Sequence, residues 1–283
     1  MAAEIIDMRS RPSFLHDFYG ATPGTKEYDV VKWLNRRVGS KNDEHFTRSK
    51  TAKGFVEEIR ECGIRAAVIV GRDIPGIRHT NEEIHKLTSK HKELMGMGSV
   101  DPHALGSQGS AAAVEYAIKE LGLKGINLEP GFASVPMHAD DPLFFPVYEV
   151  CSKLNVPVSL MSGPTTPDFD FNNPAAIGRV ARAFPTLSII CYHGFYPYVN
   201  EIIGVAFRYE NVCIVPDMYI FLPGGNLYVE AANGFMKEQL LFGSSYPFRA
   251  MAQSIQDYQA LGFRDGVIDN VMFANAQRVL HLK

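Results

Sequence analysis

Apolar residues along this chain fall into two patterns that take turns. Short β-branched runs occupy residues 4–8, 66–70, 94–99, 124–128, 156–160, 187–192, 212–217 and 239–242. Between them lie longer stretches in which apolar residues recur every three or four positions, as at Phe55, Ile59 and Cys62, or Ile177, Val180, Ala181 and Phe184. The first pattern belongs to strands buried on both faces and the second to amphipathic helices, so the alternation predicts βα units on a parallel sheet. Punctuation agrees with this division. Asp141-Pro142 and Asn173-Pro174 stand where helices start, while Gly63, Gly122 and Pro185 follow helix ends.

Eight strands, with starts 25–32 residues apart after a first gap of 62, predict an α/β chain folded as one (β/α)8 TIM-barrel domain over residues 1–283. The competing doubly wound sheet would carry a glycine fingerprint after its first strand, and Asp7-Met8-Arg9-Ser10-Arg11-Pro12 holds no glycine. The long first gap places a β1–α1 insertion at about 12–48, bearing Phe14, His16, Phe18, Tyr19, Trp33, Arg36 and Arg37. Such a segment serves either as a lid or as a subunit interface, in a homodimer or larger homo-oligomer. After the eighth strand a helix is expected at 250–261, and an extra C-terminal helix at 266–282, packed under the barrel.

Composition narrows the classes of partner. With 28 Lys+Arg against 31 Asp+Glu and no long basic stripe, nucleic acid is not expected as a partner. No apolar run approaches the roughly 20 residues that span a bilayer, and the start does not read as a signal peptide. The four cysteines are scattered without CxxC spacing, which points to a cytoplasmic protein without disulfides.

In a barrel of this kind chemistry collects at the C-terminal ends of the strands. Strand 1 ends with Arg9 and Arg11, two residues apart and so on one side, where they either clamp a carboxylate or phosphate or pair with nearby acids. Glu129, ending strand 4, is either a general base or the partner of one of those arginines. His193 ends strand 6 and Asp217 strand 7, with Tyr219 just beyond. Strand 8 leads into Ser245 and Arg249. Ser245 lacks a nucleophile-elbow context and is expected to contribute hydrogen bonds only.

The phrases Ile5-Ile6-Asp7, Gly-Ile-Asn-Leu-Glu-Pro-Gly at 125–131, Pro157-Val158-Ser159-Leu160, His193-Gly194, Gly-Ser-Ser-Tyr-Pro-Phe at 243–248 and Asn-Ala-Gln-Arg-Val-Leu at 275–280 together resemble the amidohydrolase-related TIM barrels. That branch of the amidohydrolase superfamily includes decarboxylases, hydratases and lactonases, and the resemblance spans nearly the whole chain. Its metal-dependent members carry an HxH pair after the first Asp, histidines ending strands 5 and 6, and an Asp ending strand 8. Here those positions hold Arg9 and Arg11, Met161, His193 and Ser245, so only His193 matches. One imidazole is not a metal site, and fixed guanidinium charges repel a divalent cation. The expectation is therefore no cofactor at the usual place, with zinc or another divalent metal on Glu129, His193 and Asp217 as the alternative.

Within that resemblance the residues suit a metal-independent hydrolase that opens a small carboxylated lactone or similar ester. His193, Asp217 and Glu129 would be the catalytic candidates, and Arg9, Arg11, Tyr219, Ser245 and Arg249 the substrate contacts. Two alternatives stand beside it: a decarboxylase or hydratase of a small unsaturated acid, and a non-catalytic barrel that binds a small anion.

Overall fold

A computed structural model describes residues 4–20 and 22–283. Seven parallel strands form its central sheet: β1 (Ile5–Ser10), β2 (Ile64–Val70), β5 (Leu94–Ser99), β6 (Ile126–Leu128), β7 (Val158–Leu160), β8 (Ile189–Tyr192) and β9 (Val212–Val215), paired in that order. The remaining two, β3 (Arg72–Ile74) and β4 (Ile77–His79), make a separate antiparallel hairpin beyond β2 that the hydrophobic pattern did not announce.

Side chains leave each strand alternately toward the barrel interior and toward the surrounding helices. On β2, Val68 and Val70 join Ile6, Met8, Tyr192 and Val215 inside, while Ala67 and Ile69 face the outer layer with Phe55, Ile59 and Val180. Both faces are dry, which is why these strands read as unbroken apolar runs. The helices begin where the sequence marks them: Asn173 caps Pro174–Ala183 through the Ala175 amide, and Thr51 caps Ala52–Glu61 through the Gly54 amide.

The expected eighth strand at 239–242 is not a full strand. It reduces to a parallel bridge at Leu240 to Ile214, and a second bridge joins Tyr246 to Ser10. Ile214 donates its amide to Gln239, Leu241 donates back to Ile214, and Met8 donates to the Phe242 carbonyl, so this segment still closes the ring between β9 and β1. A buried side-chain clasp reinforces the junction. Asp7 accepts from the Ser244 amide at 2.8 Å, the Ser244 hydroxyl at 2.5 Å and the Ser10 hydroxyl at 2.8 Å. Burial raises the Asp7 carboxyl above its ordinary range, and the Ser244 and Ser10 bonds oppose that rise.

The C-terminal helix expected at 266–282 is broken into a short turn, a π-helical stretch at Asn270–Ala274 and the helix Asn275–Val279. Ala276, Val279 and Leu280 plug the interior cluster against Ile6 and Leu241. The insertion holds the helix Lys26–Arg37 and the short helix Glu44–Arg48. Val31, Val38 and Phe46 from it pack on Met218, Tyr219 and Phe248 at the strand ends, so the segment covers the barrel mouth. All four cysteines are free. Among the described residues no helix is long and apolar enough to cross a membrane.

Candidate active site

The cavity under that cover, about 110 Å³, is lined by Arg9, Arg11, Arg72, His193 and Tyr219, with aromatic walls that include Trp33 and Phe132. It sits at the C-terminal strand ends, as the barrel dictates. Irregular register of β1 against β2 between Asp7 and Ser10 turns the strand end so that Arg9 and Arg11 both reach the cavity.

The two arginines do different things. Arg11 is locked in place: Nε donates to Val70 O at 3.0 Å, and Nη2 donates to Gly71 O at 3.1 Å and to Glu129 Oε1 at 2.5 Å. Arg72 grips the other carboxylate oxygen, Nε to Oε2 at 2.8 Å, and Asn127 adds a donor to Oε1 at 3.0 Å. Burial alone would raise the Glu129 carboxyl, but Arg11 and Arg72 outweigh it and hold it at about 2. A carboxylate so depressed and so fully bonded is no general base. In the structure Glu129 pairs with Arg11 and Arg72, and among the described residues it does not gather with His193 and Asp217 into a metal-holding group.

Arg9 has no such partner among the described residues. It is 2% exposed, and its Nε and Nη1 are buried without a hydrogen-bond acceptor. Burial, with Arg11 alongside, pulls its guanidinium down to about 10. Three guanidiniums face two carboxylates, Glu129 and Asp217, so the site carries an excess positive charge that an anionic ligand would neutralise.

His193 and Asp217 stand together across the cavity. His193 Nδ1 lies 2.7 Å from Asp217 Oδ2, a close approach without the alignment of a hydrogen bond, and the Met218 amide donates to Asp217 Oδ1 at 2.6 Å. Burial lowers the His193 pKa below 6.5, Asp217 opposes that shift, and Arg9 and Arg11 add to it. The ring is therefore neutral near pH 7 and able to accept a proton. His193 and Asp217 both adopt left-handed backbone, φ +60° and +43°, a conformation uncommon outside glycine and concentrated at functional sites. Tyr219 sets its ring edge-on to His193 at 5.1 Å, with its hydroxyl buried and unpartnered. Burial raises that phenol, which stays protonated and able to donate.

Two expected substrate contacts lie elsewhere. Ser245 is buried behind the cavity wall at φ +60°. Arg249 braces the cover, donating to Val38 O at 2.5 Å, pairing with Asp257 and stacking on Phe221. Arg72 follows strand 2, and the sequence alone does not mark it as a site residue beyond its place after Gly71 at that strand end.

A family model described as amidohydrolase matches residues 60–282. The chain belongs to the amidohydrolase family. An uncharacterised TIM-barrel protein from Bordetella bronchiseptica is 30% identical, with 98% of each chain covered and a TM-score of 0.89. A dihydroxybenzoic acid decarboxylase from Polaromonas, solved with bound manganese and 2-nitroresorcinol, is 15% identical over 99% of this chain and 96% of its own, TM-score 0.68. A probable 2-pyrone-4,6-dicarboxylic acid hydrolase from Acinetobacter baumannii, solved with citric acid bound, is 14% identical over 98% and 99%, TM-score 0.65. No curated protein matches the chain.

Manganese in the Polaromonas enzyme, and in 5-carboxyvanillate decarboxylase structures from Novosphingobium aromaticivorans, overturns the expectation of no cofactor as an inference from family and fold. This amidohydrolase-family chain offers His193 and Asp217 as adjacent donors. Among the described residues no group of three or more His, Cys, Asp or Glu gathers to hold a metal ion. Arg9 and Arg11 stand where the resemblance puts two imidazoles, so the residues present do not fit a complete protein ligand set of about three.

Proposed function

We propose that this chain opens a small carboxylated lactone or ester by water attack. The observation that carries the reading is the unpartnered Arg9 guanidinium sharing one cavity with His193, whose Nδ1 is approached by the buried Asp217 carboxylate. The substrate carboxylate seats on Arg9, where a bidentate contact satisfies donors that are otherwise orphaned. His193 takes a proton from water as its oxygen adds to the carbonyl carbon, and Asp217 stabilises the imidazolium that forms. The Tyr219 hydroxyl donates to the carbonyl oxygen as charge builds on it. When the ring C–O bond breaks, the same proton passes from His193 to the departing oxygen. The hydrolase name of the Acinetobacter neighbour supports this chemistry.

Aromatic walls, including Phe18, Trp33 and Phe132, favour a second reading, decarboxylation of an aromatic acid with His193 delivering a proton to carbon. Turnover of 2-pyrone-4,6-dicarboxylate in 18O-water separates the two. Hydrolysis places one labelled oxygen in the ring-opened acid and releases no carbon dioxide. Carbon dioxide without label in the retained product would sink the hydrolytic reading.

The acid limb of kcat/KM is expected below pH 6.5, because burial disfavours protonated His193. Asp217→Asn removes the one charge that opposes this shift, so the limb moves further down and kcat falls by on the order of 10²-fold or more. A limb that stays in place in Asp217→Asn would remove Asp217 from its role beside His193. For stability the sign is the same. A histidine buried neutral lends stability that is fully present above pH 6.5 and is lost as pH falls from there through its lower folded value.

A further inference from the structure

The cavity that holds Arg9 is not the end of the space. A second chamber of about 480 Å³ lies against it, and Trp33, Leu34, Thr165 and Tyr219 line both. Its own walls are Val38, Pro164, Tyr196, Leu222 and Pro223, with Arg37 the one charged residue among them. Tyr196 and Tyr219 stack at 5.4 Å with an interplanar angle of 7°, so a flat double ring runs from the inner cavity into the outer chamber. Trp33 is 47% exposed, with the Arg37 guanidinium 5.4 Å from its ring centre. A tryptophan left half in water beside an apolar chamber is surface without a partner, of the kind that marks a binding site. The buried charged end of the path is Arg9, and beyond Tyr219 the walls are aromatic or aliphatic apart from Thr165 and Arg37.

From this arrangement we infer that the outer chamber is a specificity subsite and that the carboxylated lactone or ester carries an apolar or aromatic extension. The carboxylate sits on Arg9 and the apolar or aromatic body runs past Tyr219 onto Trp33, Tyr196 and Leu222. The inference rests on the proposed carboxylate anchor but concerns a different end of the ligand. It separates two functions along one path: charge recognition inside, and selection for length and apolar character outside.

Unreactive ω-phenylalkanoates test it without needing turnover. Calorimetry on the full chain with phenylacetate through 6-phenylhexanoate is expected to show affinity rising at least tenfold across the series, since each buried methylene adds severalfold. Quenching of Trp33, the chain's only tryptophan, is expected to grow with length in parallel. Leu222→Trp fills the chamber at a half-buried position and is expected to flatten the dependence on length. A flat series in the unmodified protein, or a slope unchanged in Leu222→Trp, overturns the subsite. If Leu222→Trp does not fold, Trp33 quenching in the unmodified protein decides alone: long members that bind tightly without quenching place the body elsewhere. Arg9→Met reads the anchor independently. Phenylacetate affinity unchanged in that variant refutes the anchor, while the length dependence still reports on the chamber.

Discussion

Arg9→Met is expected to lower kcat/KM on a carboxylated substrate by on the order of 10³-fold while making the protein more stable. The two effects share one cause. The guanidinium is buried, its Nε and Nη1 lack acceptors, and burial with Arg11 alongside pulls it down to about 10 from an ordinary 12.5. Keeping that charge in the fold at neutral pH is unfavourable until an anion arrives. Methionine matches much of the volume and needs no acceptor, so unfolding by urea should show a gain of about 1–3 kcal/mol. Arg9→Lys keeps the charge and loses the fork, and should fall between the two in activity. A variant that loses stability together with activity would mean Arg9 is structural and the anchor reading is wrong. Unchanged kcat/KM on a substrate that the unmodified protein turns over would be equally damaging.

The opposite sign is expected at Glu129, three strands around the ring. Glu129→Gln leaves Arg11 and Arg72 buried against a neutral amide and should cost about 3–5 kcal/mol in urea unfolding, because breaking one member of a buried ionic cluster strands the others. The unmodified pair also predicts acid sensitivity. Glu129 has a carboxyl depressed from 4.5 to about 2. A group depressed on folding lends stability that is fully present above its unfolded value and disappears as pH falls from about 4.5 toward 2. The shift corresponds to about 3 kcal/mol. Glu129→Gln should lack this acid dependence, and stability curves of the two proteins against pH should converge near pH 2. Parallel curves would deny the cluster its ionic character.

Much of the barrel was legible because its strands are dry on both faces, which leaves apolar runs at even spacing. The eighth was the exception. Residues 239–242 have the apolar content of a strand, yet their pairing stops at single bridges, and Asp7 with Ser244 does part of the work a ladder would do. A side-chain clasp across 237 residues has no local signature. The β3–β4 hairpin and the π-helical stretch are likewise set by packing. In the site, position at a strand end is what brings Arg9, Arg11, His193 and Tyr219 to one cavity. Arg249 was misplaced because a loop after strand 8 offers both the cavity and the cover, and the hydrogen bond to Val38 decides between them. Sequence also cannot say which of two adjacent arginines is satisfied; that depends on whether Glu129 and the Val70 and Gly71 carbonyls lie within reach.

The ring's thinnest joint therefore sits beside its most exacting group. Arg9 shares a strand end with Asp7, donates its amide to Asp7 Oδ1 at 3.0 Å, and lies 3.1 Å from where a Cβ on Gly243 would be. Because few backbone bonds span that joint, amides around it should exchange with solvent sooner than those of β2 or β8, where ladders run on both sides. Breathing there displaces the guanidinium directly. The seam that completes the architecture is in this sense also a hinge for recognition, and the tightness of the anion grip is tied to how firmly the barrel is shut.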